Sequence, residues 1–277
     1  MTAYDERWLI GLDIDGTLVH DDGYLSERVA KEVQRVRSLG HEVVIATGRA
    51  AANAFPVIKE LGVTLSHSVC SNGAVTIRMD ESHPKGYHLE DVKTFDPAEV
   101  LGQLIRHLPN AHFAVEDIDG SYRFHKPFPS YALGDQNVET PLEDLLHRPV
   151  SRVVVLSPEH DVDQFLGLME KVGLQSVSYA IGYTAWLDIA PKGIDKGHGL
   201  EQLRQHYKIP GNRTLVMGDG RNDIEMFRWA KSLGGFAYAM GQAPEEVKLE
   251  ATAITSAVEQ DGVAEVLEAL EGLQYLR

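Results

Sequence analysis

Apolar residues in this chain fall into short runs separated by amphipathic stretches. Trp8 to Leu12 is one such run. It lacks polar alternation, which predicts a strand buried on both faces of a parallel sheet. Ser26 offers an N-cap, and Val29, Val33, Val36 and Leu39 recur at helical spacing before Gly40. A helix is expected between them. Glu42 to Ala46 is a second apolar strand, and a helix over Ala50 to Leu61 follows, with Pro56 as a kink or break. Leu65 to Cys70 reads as a third strand and Ala74 to Met79 as an outer one. This alternation implies right-handed parallel crossovers.

Near residue 90 the pattern changes. Pro97 to Leu108 is helical, and Ala111 to Ile118 and Tyr122 to Lys126 are strands around an Asp119-Gly120 hairpin turn. Residues 127–149 are rich in proline and polar residues, with one short helix near Leu142 to Leu146. Arg152 to Leu156 is a strand, Asp161 to Val172 a helix, and Gln175 to Ile181 with Thr184 to Ile189 a second hairpin around Gly182-Tyr183. The strand–helix alternation then resumes from Lys196 to the end. The expected fold is α/β: a doubly wound, mostly parallel sheet, residues 1–89 and 188–277, with an inserted α+β cap over 90–187.

The length of 277 residues is enough for a sizeable core, and no apolar run reaches transmembrane length. The single cysteine, Cys70, excludes an intramolecular disulfide and sits in an apolar strand, so it reads as core. The first residues lead into no signal-peptide core. Together these features suggest a cytoplasmic protein. The formal net charge is −15 and no basic run occurs, which argues against polymeric nucleic acid. An anionic small molecule remains compatible if a metal and a lysine make one pocket locally positive. The twelve histidines form no zinc-ligand spacing.

Four strands each end in a polar signature: Asp13/Asp15, Thr47-Gly48, Ser71-Asn72-Gly73 and Gly218-Asp219. In a parallel sheet those ends lie on one edge, where ligands bind. Neighbouring carboxylates repel, and a hard cation such as Mg2+ relieves the conflict. Asp13, the Asp15 main-chain carbonyl and Asp219 would make an oxygen-ligand set for it. Asp13 is also a candidate nucleophile. Asp223 and Asn222 open the next helix, where Asp is equally a cap. Thr47-Gly48 offers a hydroxyl and an N–H at a helix start, an anion site or a plain Thr cap. Lys196 opens a helix against its dipole, which favours a functional reason; Lys192 competes for that role.

Together these residues resemble the haloacid dehalogenase superfamily, in its Cof-like branch with the larger α/β cap. The first motif is Asp13-Ile14-Asp15-Gly16-Thr17 and the second Thr47 in ATGR. The third is Lys196 in KGIDKG and the fourth Gly218 to Asp223. The SNG turn at Ser71 to Gly73 and the YAMGQAPEEVK stretch fit the same branch. The resemblance implies that Asp13 attacks phosphorus and that Asp15 serves as acid, then base. It implies that Thr47 and Lys196 hold the phosphoryl oxygens, with Gly48, Asn72, Gly73 and Asn222 beside them. Asp13, Asp15, Asp219 and Asp223 would hold Mg2+, with Asp223 as ligand or support. Arg49 and Arg221 have no assigned role.

The expected activity is Mg2+-dependent hydrolysis of a small phosphate ester, a sugar or polyol phosphate, by a monomer or weak homodimer. A phosphomutase and a catalytically idle phospho-ligand binder are the alternatives. Arg123, His125, Lys126, Tyr183 and Trp186 are cap candidates for specificity, weighed against ordinary structural places on the hairpins.

Overall fold

The computed structural model describes residues 7–62, 66–129, 132–172, 174, 177–181 and 185–270. The first part alternates β1 (Leu9–Leu12), α1 (Glu27–Ser38), β2 (Glu42–Ala46), α2 (Ala51–Glu60), β3 (His67–Cys70), β4 (Val75–Met79) and β5 (Tyr87–Val92). The middle part contains α3 (Ala98–His107), β6 (His112–Glu116), β7 (Tyr122–Phe124), β8 (Asn137–Glu139), β9 (Arg152–Leu156), α4 (Val162–Val172), β10 (Val177–Ile181) and β11 (Trp186–Pro191). The last part runs α5 (Lys196–Tyr207), β12 (Thr214–Gly218), α6 (Ile224–Ser232), β13 (Phe236–Ala239), α7 (Glu245–Glu250), β14 (Ala253–Ile254) and α8 (Gly262–Glu268).

The larger sheet has the order β14-β13-β12-β1-β2-β3-β4-β5. It is parallel from β14 to β3 and antiparallel over β4 and β5. Its strands are apolar throughout because both faces are covered. Ile10, Leu12, Val43 and Ile45 join the core against α1, α2 and α8. Leu9, Val44 and Ala46 join the opposite core with residues of α5 and α6. The connections leave β1 in opposite directions, toward β2 and, much later, β12. A crevice therefore opens at the carboxyl end of β1.

The smaller sheet has the order β10-β11-β9-β6-β7-β8. One face packs Phe113, Val115, Val153, Val155, Leu187 and Ile189 against α3 and α4. The other face turns toward the larger sheet, where Ala114, Tyr122 and Val154 meet Ala50.

Several expectations change in detail. The larger sheet carries an edge strand, β5, to which no element was assigned, since its half-buried, charged residues hide the strand pattern. The expected divisions at 89/90 and 187/188 fall inside β5 and β11, and the change of sheet follows Val92 and Pro191. Helix α2 runs through Pro56, forfeiting one backbone bond. The short helix at Leu142–Leu146 is a 3-10 turn. Gly182 and Tyr183, at the expected tip of the second hairpin, lie outside the described residues. Among the described residues, no helix is long and apolar enough to cross a membrane.

The turn after β3 is the tightest point of the fold near the crevice. Ser71, Asn72 and Gly73 all have positive φ, and a Cβ on Gly73 would lie 2.0 Å from the Asp195 carbonyl oxygen. Gly73→Ala therefore combines backbone strain with a main-chain clash. It should cost on the order of 2 kcal/mol or more in urea unfolding. Unchanged stability would mean that the turn and Asp195 are not in this contact.

Candidate active site

Asp13 follows β1 and stays hydrogen-bonded to the sheet, its N–H donating to the Met217 carbonyl at 3.1 Å. Lys196 is the first residue of α5, whose N-cap is Asp195, accepting from the His198 N–H at 2.9 Å. From there the Lys196 side chain runs into the protein, and the residue is 0% exposed. Its Nζ donates to Asp13 Oδ1 at 2.8 Å and to Asp223 Oδ1 at 2.7 Å. The other oxygen of Asp223 accepts from the Asp219 and Gly220 N–H groups at 3.0 and 2.9 Å. Asp223 thus closes its own turn and anchors the lysine at once. Lys192, the competing lysine, is exposed.

Asp13, Asp219 and Asp223 are all buried and bring carboxylate oxygens within 4.8 Å of one another. The Lys196 ammonium bridges two of these three acids. Burial, then the Asp223 charge, pushes the Asp13 carboxyl well above its usual range, against the pull of Lys196. Burial alone would lower Lys196, but Asp13 and Asp223 outweigh it and hold the ammonium above its ordinary value. Both directions follow from a surplus of negative charge in a dry site. Clustered hard oxygen donors of this kind suit a divalent cation such as Mg2+.

Asp15 is placed differently. Its carboxylate lies outside that triad and pairs with Arg49, at 2.5 Å to Nη2 and 3.0 Å to Nε. Gly16 follows in a left-handed conformation, and a Cβ there would lie 2.2 Å from Asp219 Oδ2. The first motif can approach the fourth only because that position is glycine.

Thr47 is buried at the end of β2, but it does not cap a helix. Helix α2 begins at Ala51 with Ala50 as N-cap, so the expected helix-start site is a turn instead. Thr47 Oγ1 accepts from the Arg49 N–H at 3.1 Å. Asn72 is tied to this turn, since its N–H donates to the Thr47 carbonyl at 3.1 Å. Asn222 donates to Asn72 Oδ1 at 3.0 Å, and Gly48 packs against both amides. Thr47, Gly48, Asn72, Gly73 and Asn222 therefore form one connected polar rim.

A cavity of about 510 Å3 opens beside Lys196, Asn72 and Asn222 and is roofed by Arg152, Tyr179 and Asp188 of the smaller sheet. That volume suits a small ligand. Asp188 Oδ1 accepts from Arg152 Nε at 2.8 Å and Trp186 Nε1 at 3.0 Å. Asn72 donates to Asp188 Oδ2 at 3.3 Å. Arg152 and Asp188 were not anticipated. Arg152 opens the apolar strand β9 and Asp188 lies within β11. Arg123 is instead locked by Asp117 at 2.7 Å, Lys126 bonds the Asn110 carbonyl, and His125 stacks on Phe113. Arg221 lines the cavity while paired with Glu246. Cys70 is fully buried, which raises its thiol far above the ordinary range and leaves it inert.

The model of the haloacid dehalogenase-like hydrolase family matches residues 10–267. A 5-amino-6-(5-phospho-D-ribitylamino)uracil phosphatase of Bacillus subtilis, YitU, is 29% identical over 94% of this chain and 96% of its own. A phosphoglycolate phosphatase of Nitrosopumilus maritimus is 27% identical over 94% of each. Among solved structures, the HAD subclass IIB sugar phosphatase BT4131 superposes with a TM-score of 0.76 at 20% identity. It covers 95% of this chain and 99% of that one, a likeness of fold. This chain belongs to the haloacid dehalogenase-like hydrolases, with the core and inserted cap of that fold.

The charge surplus makes a stability prediction for protein stripped with EDTA. A carboxyl raised in the folded state resists ionisation there, so its contribution is intact below its unfolded value and is lost as pH rises through the folded one. Asp13→Asn removes that loss. Its melting temperature should exceed wild type above the ordinary aspartate range, with the gap closing as pH falls to about 4, the unfolded value, each tenfold proton displacement being about 1.4 kcal/mol. A lower melting temperature for Asp13→Asn at pH 8 would contradict this reading.

Proposed function

We propose that this phosphoric monoester hydrolase cleaves the phosphate ester of a small sugar or polyol in two in-line transfers, with Asp13 as the nucleophile. The observation that carries the reading is the buried Lys196 spanning Asp13 and Asp223, with Asp219 alongside, where the strand ends converge. Asp13, the Asp15 main-chain carbonyl and Asp219 would hold Mg2+, with Asp223 in support. When bound, the ion would neutralise charge building on the phosphoryl oxygens.

In the first transfer an Asp13 oxygen forms a bond to phosphorus as the ester P–O bond breaks. Asp15 gives its proton to the departing alkoxide. In the second, water attacks the aspartyl-phosphate, its proton passes to Asp15, and the bond from phosphorus to Asp13 breaks to release phosphate. Lys196 keeps Asp13 aimed and compensates its charge, while Thr47, Gly48, Asn72, Gly73 and Asn222 cradle the phosphoryl oxygens. Positioning and charge stabilisation are what phosphoryl transfer chiefly requires.

The polyol assignment draws support from the ribitylamino phosphate and sugar phosphate in the names of two similar proteins. Water rather than a second sugar is the expected acceptor. A mutase needs a second anion site, and the cap arginines Arg123 and Arg152 are each already paired with an aspartate.

The test is a panel of sugar and polyol phosphates assayed for released phosphate. Activity should vanish with EDTA and return with Mg2+, and Asp13→Asn should be inactive. Asp15→Asn should lose about 10²–10⁴-fold in turnover, as for removal of a general acid–base. A robustly active Asp13→Asn protein would remove the covalent mechanism. Isomerised sugar phosphate forming faster than free phosphate would favour the mutase.

A further inference from the structure

Glu116 takes no part in the chemistry above, yet it is only 1% exposed. It ends β6, and the sheet register sets it opposite Tyr122 on β7 and Arg152 on β9. Directly opposed residues share a face of the sheet. The three side chains therefore stand together on the side of the cap that faces the core. Burial pushes the Glu116 carboxyl up, against the pull of Arg152. Such a group needs hydrogen bonds to be tolerated at all. Within the cap, Ser151 Oγ donates to the Glu116 main-chain carbonyl at 3.1 Å, and the Tyr122 hydroxyl, which accepts from Arg152, stands beside the carboxyl. The carboxyl itself is met from the core, where Ser71 Oγ donates to Glu116 Oε2 at 2.7 Å.

Ser71 is no ordinary core residue. It is fully buried, and both it and Asn72 have φ near +50°. Each non-glycine residue in that region costs roughly 1–2 kcal/mol, so contacts must hold the turn in place. Those contacts are the phosphate rim itself. The Ser71 N–H donates to the Arg49 carbonyl at 2.9 Å, the Asn72 N–H donates to Thr47, and Asn222 donates to the Asn72 side chain. A displacement of Ser71 would move the rim with it.

We propose that Glu116 is a positioning residue: fixed in the cap sheet, it accepts from Ser71 and so holds the Ser71–Gly73 turn, with Thr47 and Asn222, in its working place only while the cap is seated. The cap thereby completes the phosphate cradle without touching the phosphoryl group. This rests on the reading that Thr47 and Asn222 hold that group.

The experiment compares Ser71→Ala, Glu116→Gln, Glu116→Ala and the Ser71→Ala/Glu116→Ala double variant. Three readouts are used: hydrolysis of p-nitrophenyl phosphate, inhibition by inorganic phosphate, and amide hydrogen exchange. Ser71→Ala and Glu116→Ala should each lower kcat about tenfold or more, the scale of a small misplacement near the chemistry. Both should weaken inhibition by phosphate and speed exchange in peptides covering 47–50 and 71–74, with the central strands of the core unchanged. The double variant should be no worse than the poorer single one. Glu116→Gln still offers a carbonyl to Ser71 and should recover most of the loss. Additive losses, or a lower melting temperature with unchanged kcat and exchange in Ser71→Ala, would overturn the tether. If Glu116→Ala fails to fold, Ser71→Ala and Glu116→Gln decide it. If the wild type hydrolyses no phosphomonoester, the proposed function fails by itself, and exchange in Ser71→Ala still decides the tether.

Discussion

Burying one lysine among three aspartates is the constraint on which the rest of this structure depends. A buried charge is tolerable only if it is paired and hydrogen-bonded. Lys196 achieves this by reaching Asp13 and Asp223 together. The arrangement requires the end of β1, the end of β12 and the start of α5 to meet at one point. The doubly wound order, with β1 between β2 and β12, is what delivers them there. The same cluster keeps a negative surplus in place, which is costly to the protein alone.

The second element is the turn at Ser71 to Gly73. It gives up backbone comfort to join the polar rim: Thr47 and Arg49 through the main chain, Asn222 through Asn72, Asp195 through Gly73. It also meets Glu116 and Asp188 of the cap. The cap's core-facing side carries a row of alternating charge, Glu116, Arg152 and Asp188, set directly above this turn. The roof of the cavity and the support of its rim therefore come from one short stretch of polar contact between the two sheets, beside the apolar contact of Ala50 with Ala114, Tyr122 and Val154.

Much of this was legible in the sequence because burial leaves a strong imprint. Strands covered on both faces read as continuous apolar runs, so β1, β2 and β12 were found with the polar residues that end them. Lys196 stood out by opening a helix against its dipole. The edge strand β5 was missed because its mixed, half-exposed residues look like a loop. The Thr47 turn was placed at a helix start, as an anion site or a cap, because Thr is common there, whereas α2 begins only at Ala51. Glu116, Arg152 and Asp188 were overlooked for another reason. Their partners lie across strand registers and across the two sheets, and no local pattern encodes such pairings. Asp15 was read as part of the first motif, but its pairing with Arg49 depends on a tertiary approach that spacing alone does not reveal.

The central claim is that the Lys196 cluster is short of positive charge and takes up a divalent cation. Calorimetric titration of Mg2+ into EDTA-treated, dialysed protein tests it most directly, without relying on any substrate. The account predicts one ion bound per chain, with binding lost in Asp219→Asn, where a ligand has been removed and the surplus charge reduced. No binding to the wild type, or binding unchanged by Asp219→Asn, would contradict it.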